Sequence, residues 1–335
     1  MRLAWVGMIA ALVVGMALTA TGSSAEGVAV LDGGPKLNAA TWECTAGHQI
    51  QKRQLTIDSG AVRYSFSICG CTDPSHGDQH PCSEGIFGMP TPSRANWYAG
   101  GFMKILINGA DATLYGASDV RVLETGDRGS FQVVWAHPDA EVGMRMMMLP
   151  GGNHVLTDLT WRPREGKTVE TVALQLICYP SYFTTFNHRD GDRHVMTPGT
   201  DVVQPESFDL VAEQDTWLYY YDTIFDVAKG EGDGPCAMAI DPPALAGGRV
   251  SIGAYGTSTR IDLKPEPGGA RVAFYDFTGL TNAQAEEYMT GHGAGDLAEL
   301  AATDFRPDPV RELDVAALAA EANGLLADAA DDGEV

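Results

Sequence analysis

Residues 178–198, CYPSYFTTFNHRDGDRHVMTP, crowd His188, His194, Arg189, Arg193, Asp190 and Asp192 into one polar, glycine-interrupted stretch. An imidazole is the side chain suited to give and take a proton near neutral pH, and a carboxylate such as Asp190 can orient it or act as base. A guanidinium at Arg189 or Arg193 suits a carboxylate ligand such as a uronic acid. The same composition also suits a solvated loop in which an Asp-Gly turn and mixed charges satisfy one another. Catalytic, ligand-binding and purely connecting roles all stay open on residue types alone.

Two aromatic clusters raise a similar choice. In WLYYYD, residues 217–222, a strand projects Trp217, Tyr219 and Tyr221 to one face and Leu218, Tyr220 and Asp222 to the other. One row can stack on sugar rings, because Trp and Tyr join an apolar face to a polar tip. It can equally be sandwich core. In NWYAGGF, residues 96–102, Trp97 and Tyr98 precede two glycines that permit close backbone approach.

The cysteines lie at 44, 69, 71, 82, 178 and 236. Their even number fits disulfides if the chain is exported, although the spacing selects no pairing. The stretch CGCTDPSHGDQHPC also holds His76 and His80, but it lacks the paired C-x2-C spacing of a zinc cage, so a disulfide-stapled loop and no metal are expected. Cys178 ends an apolar run and suits a bridge or a buried thiol. No Gly-x-Ser-x-Gly elbow, HExxH helix or phosphate-cradling loop occurs, which argues against serine hydrolase, zincin and nucleotide-dependent chemistry; no cofactor is expected.

These residues must be positioned by strands. From 54 to 277 apolar and polar residues alternate with period two, in segments such as SFQVVWAH, VGMRMMML and HVLTDLTWRP. GDRG, LPGGN and PREGK read as hairpin turns between them. TVALQLICY is apolar on both faces and reads as a central strand. Many short strands without intervening helices exclude a parallel α/β fold and predict an all-β, large antiparallel β-sandwich. Helix is expected only after 280, where Thr281 and Gln284 stand at capping-box spacing, followed by an Ala-rich segment and an acidic tail. The expected organisation is a signal peptide over 1–25, a β-sandwich over 26–280 and a short helical C-terminal appendage over 281–335.

In size and strand content, and in the pair Asn187-His188, the chain resembles the galactose mutarotase-like supersandwich proteins. The resemblance implies a sugar-related β-sandwich with His188 as a catalytic candidate. No counterpart of the epimerases' substrate-binding segments or late catalytic Glu is evident, so activity does not follow from the fold.

The N-terminal run LAWVGMIAALVVGMALTA, with Ser23 and Ala25 as small residues before the expected cut, predicts export to a secreted or periplasmic location. An uncleaved anchor is the alternative. A formal net charge of −22 disfavours nucleic acid and anionic membrane surfaces as partners. The expected function is carbohydrate recognition, including acidic glycans, without established catalysis. The alternatives are a sugar-active enzyme with a His acid/base, and an envelope interaction module.

Overall fold

The computed structural model describes residues 27–38, 50–71, 87–88, 102–179, 191–254 and 256–307. Strands β1 (Ala29–Asn38), β2 (Ile50–Asp58), β3 (Arg63–Cys71) and β4 (Phe87–Gly88) form a flanking sheet in that order. They are followed by β5 (Lys104–Ile107), β6 (Ala110–Asp111), β7 (Ala117–Glu124), β8 (Gly129–Ala136), β9 (Ala140–Met148) and β10 (His154–Pro163). Next come β11 (Val172–Cys178), β12 (Arg193–Met196), β13 (Asp201–Val203), β14 (Ser207–Leu210) and β15 (Trp217–Asp222). The last strands are β16 (Cys236–Ile240), β17 (Leu245–Ile252), β18 (Thr257–Leu263) and β19 (Gly269–Asp276), and helix α1 spans Asn282–Ala302.

A large sheet of nine strands runs β13-β12-β15-β16-β19-β10-β9-β8-β7, and a second sheet of six runs β14-β17-β18-β11-β5-β6. Every pairing is antiparallel, and the two sheets bury their facing rows against each other. The protein is an all-β sandwich with one C-terminal helix among the described residues. The period-two rule sorts side chains strictly: Met144, Met146 and Met148 of β9 enter the inter-sheet core, while Met147 points to the opposite face. The flanking sheet extends the same core through Leu55, Ile57, Tyr64 and Phe66, with Phe66 ring-packed on Phe102 and Phe131.

Strand β11 is central, paired to β18 on one side and β5 on the other, and Val172, Leu174, Leu176 and Cys178 all face the core. GDRG and LPGGN join paired neighbours, β7 to β8 and β9 to β10. PREGK does not. It carries the chain from β10 in the large sheet to β11 in the second, so the expected hairpin there is a crossover. Asn108 holds this corner together from the β5–β6 turn, donating to Asp139 and Thr168 and accepting from the backbone N–H groups of Glu170 and Thr171.

The capping box at the start of α1 is present, with Thr281 accepting from Gln284 N–H and Gln284 accepting from Thr281 N–H. The expected signal segment, Cys44, the side chains of Cys69, Cys71 and Cys82, and the Ala-rich C-terminal segment lie outside the described residues.

Candidate functional site

The outer face of the large sheet, turned away from the second sheet, divides into three parts. Its middle carries Trp217, Tyr219, Ala237, Ala239, Ala273 and Tyr275, and α1 lies across them with Ala285, Met289 and Leu300. Small side chains on β16 and β19 leave room for the helix to come close. The N-terminus of α1 is tied down by Asn282, which donates to Asp222 O and accepts through its carbonyl from Tyr219 Oη, both at 2.8 Å. Its C-terminus is held by Arg271, which donates to the carbonyls of Leu300 and Ala301, placing a cation where the helix carbonyls are unpaired.

This cover decides the aromatic row. Trp217 is 6% exposed and Tyr219 0%. Neither presents a ring face to a ligand; both serve the packing of α1. The expectation of an open Trp217-Tyr219-Tyr221 sugar platform is therefore corrected, because the alternation that defines a platform also defines a face for a helix to cover.

At one end of the covered strip, β12 pairs with β15 so that His194 stands opposite Tyr221. Their rings stack at 4.7 Å and 22°, and Tyr221 stacks in turn on Tyr219 at 5.0 Å. His194 Nδ1 lies 3.2 Å from Asp201 Oδ1, and Nε2 lies 3.6 Å from Asp192 Oδ2. Tyr221 donates to Asp201 at 2.8 Å, and Thr223 donates to Asp192 at 2.5 Å. Burial, followed by the hydrogen bond to Asp201, pushes the Tyr221 phenol well up, so it acts as a donor and not as a base. The arrangement is an imidazole bracketed by two carboxylates on an acidic rim, able to relay a proton but not set in a deep pocket.

Arg193 precedes His194 and so points the other way, into the inter-sheet core, where it is 0% exposed and donates to Ala254 O. It stands opposite Asp222 in register. The expectation that Arg193 reads a ligand carboxylate is corrected by strand alternation: neighbours on β12 cannot both reach the surface. His188, Arg189, Asp190, Trp97 and Tyr98 lie outside the described residues.

At the opposite end, a polar row crosses neighbouring strands in register. Gln132 of β8 stands opposite Arg145 of β9, Arg145 opposite Asp158 of β10, and Asp158 opposite Arg271 of β19. Gln132 donates to Asp119 at 2.6 Å and accepts from Arg145 Nε at 2.8 Å. Asp158 lies 3.7 Å from Arg271 Nε. Burial raises the Asp158 carboxyl, and the charges of Arg271 and Arg145 oppose that rise. Arg145, Asp158 and Arg271 form the floor of an open cleft of about 450 Å³, walled by residues 301–306 where the chain leaves α1. Arg128 pins that wall by donating to the carbonyls of Asp304 and Arg306. Sequence reasoning missed this site. Its only local signal was a charged residue at an outward position within each apolar strand.

Among the described residues no group of three or more His, Cys, Asp or Glu side chains is arranged to hold a metal ion, and no helix is long and apolar enough to cross a membrane.

No protein-family model and no curated protein matches the chain. Among solved structures, it is similar to a TPR-domain containing protein from Parabacteroides distasonis, with 8% identity over 75% of this chain and 55% of that one, at a TM-score of 0.41. It is also similar to a GH36 alpha-galactosidase from Geobacillus stearothermophilus in complex with stachyose, with 13% identity over 71% of this chain and 42% of that one, at a TM-score of 0.38. An alpha-galactosidase from Lactobacillus brevis gives 11% identity over 72% and 40%, at a TM-score of 0.35. The chain spans 55% or less of the length of each. Likeness at this level says nothing of ligand or activity.

Proposed function

We propose that the protein is an exported β-sandwich of the galactose mutarotase-like kind that recognises carbohydrate without transforming it. Its binding face is the Arg145–Asp158–Arg271 cleft. The observation that carries this reading is the in-register alternation of guanidinium, carboxylate and guanidinium on three adjacent strands. Strands lie about 4.8 Å apart, so the row spans about 10 Å, the scale of a mono- or disaccharide. The Arg145 guanidinium supplies donors and the Asp158 carboxylate supplies acceptors, which is the complement of a ring bearing hydroxyl groups, while Arg271 holds the end of α1 against the cleft. A uronic acid carboxylate would find Arg145 or the exposed Arg306 within the same cleft. The acidic chain repels polyanions at long range, which favours an oligosaccharide carrying a single carboxylate over a densely charged one. Export rests on residues 1–25, with Glu26 as the mature N-terminus.

Isothermal titration with uronic-acid and neutral oligosaccharides tests this. Arg145→Met and Arg306→Ala, each checked for an unchanged thermal midpoint, are expected to weaken binding by about 10- to 100-fold for Arg145 and less for the exposed Arg306. Binding that both variants leave intact would remove the cleft from the site. Absence of any glycan binding would favour the interaction-module reading. The bracketed imidazole supports a second reading, a sugar-active enzyme, and turnover of a bound sugar abolished by His194→Gln would establish it instead.

A further inference from the structure

Cys178 is the last residue of β11 in the second sheet, and Cys236 is the first residue of β16 in the large sheet. The two strands belong to opposite layers, yet the Sγ atoms lie 3.2 Å apart. Both side chains are shut inside the inter-sheet core, at 0% and 1% exposure. We propose that Cys178 and Cys236 are the partners of a cross-sheet disulfide that staples the two layers together.

The placement supports a bond. A disulfide is about 2.05 Å long, so the sulfurs need to close by only about 1 Å, with no strand exchanged or reversed. The surroundings hold both backbones in place. Cys178 is in register with Thr257, and Cys236 pairs with both Tyr220 and Asp276. Tyr220 reaches across the same interior to Thr259, its hydroxyl 3.0 Å from Thr259 Oγ1, so the layers are already tied by a hydrogen bond near the sulfurs.

The chemistry balances as thiol–disulfide exchange with a small or protein-borne disulfide as oxidant. One cysteine thiolate attacks the oxidant's S–S bond, which breaks and releases one thiol. The second thiolate then displaces the remaining thiol from the mixed disulfide. The protein loses two protons and two electrons, and the oxidant takes them up to become two thiols. Because neither sulfur meets solvent in the closed sandwich, exchange takes place before the sheets close or during an opening that separates them.

Cys178 lies at the N-terminal root of residues 180–190, the segment that carries His188, Arg189 and Asp190, and Arg193 anchors the other root in the core. The bond would fix the end of β11 to the start of β16 in the large sheet.

The test is peptide mapping of the full chain recovered from an oxidising export compartment, unfolded in acid with an alkylating agent and digested without reduction. A single linked peptide containing Cys178 and Cys236, lost on reduction, is the expected result. The bond should resist reductant in the native protein and yield once the protein is unfolded. Recovery of either cysteine joined to Cys44, Cys69, Cys71 or Cys82, or of both alkylated even after oxidative refolding, would overturn the pairing. The oxidant rests on the export reading, and refolding with glutathione disulfide separates the two. A Cys178–Cys236 link formed in refolding but missing from the recovered chain keeps the pairing and counts against the export reading, because that chain then met no oxidant, whereas its absence from both sinks the pairing.

Discussion

Gly293 of α1 rests directly on the indole of Trp217, so that a methyl group built at Gly293 would meet Trp217 Cδ1 at 3.1 Å and Nε1 at 3.2 Å. The contact is what lets the helix lie close over the aromatic row. Gly293→Leu should lift α1 and cost about 1–3 kcal/mol, with the tryptophan emission shifted to the red. Gly291 and Gly295 lie on the same helix, and a methyl group at either position would meet nothing within 4 Å. Alanine there should stabilise by about 0.5–1 kcal/mol each, through helix propensity and a less flexible unfolded chain. Thermal denaturation of the three variants reads both signs.

Trp217→Ala should act on stability and not on recognition. Removing a buried indole leaves a cavity between β15 and α1 and should cost about 3–5 kcal/mol in urea unfolding. Glycan affinity, measured under conditions where the variant stays folded, should match the parent protein. A variant that kept its stability and lost affinity would return Trp217 to the binding face.

Asp276 makes stability fall as pH rises. Its Oδ1 accepts from Thr278 N–H at 2.7 Å, its Oδ2 has no hydrogen-bond partner among the described residues, and burial pushes the carboxyl up to about 6. The unfolded chain releases this proton near pH 3.9, so the folded state binds more protons between the two values. The group is therefore without cost below about pH 4, and its ionisation removes about 3 kcal/mol as pH rises through about 6. Asp276→Asn should be more stable than the parent protein at pH 8, and the gap should close near pH 4. Urea denaturation at both pH values tests it, and a gap that persists in acid would contradict the assignment.

Asn108 combines a left-handed backbone, φ 50°, with side-chain bonds that clamp the β10–β11 crossover. Asn108→Ala should lose about 2 kcal/mol through both effects. Asn108→Gly restores the backbone freedom but not the bonds, so it should fall between the two. Equal stability of the alanine and glycine variants would leave the side-chain bonds as the whole effect.

Local pattern made several elements legible. The two-faced apolar content of β11 marked it as central, and the Thr281–Gln284 spacing marked the start of α1. Each depends on residues a few positions apart, whose geometry the backbone repeat dictates.

The sequence by itself therefore determined an antiparallel all-β protein, most of its strands between 54 and 277 and which residues share a face, while β1 over Ala29–Asn38 lay outside that reading. Only the tertiary structure decided which strand neighbours which and what covers each face. PREGK has the same turn chemistry whether the next strand pairs back or crosses to another sheet. The row Trp217, Tyr219, Tyr221 reads alike whether solvent or a helix some 60 residues onward lies over it. Arg145, Asp158 and Arg271 meet only because β10 pairs with both β9 and β19, and the second pairing joins residues more than 100 positions apart. Register between distant strands is set by the mutual burial of whole apolar faces, a property of the assembled sheets that no single segment carries.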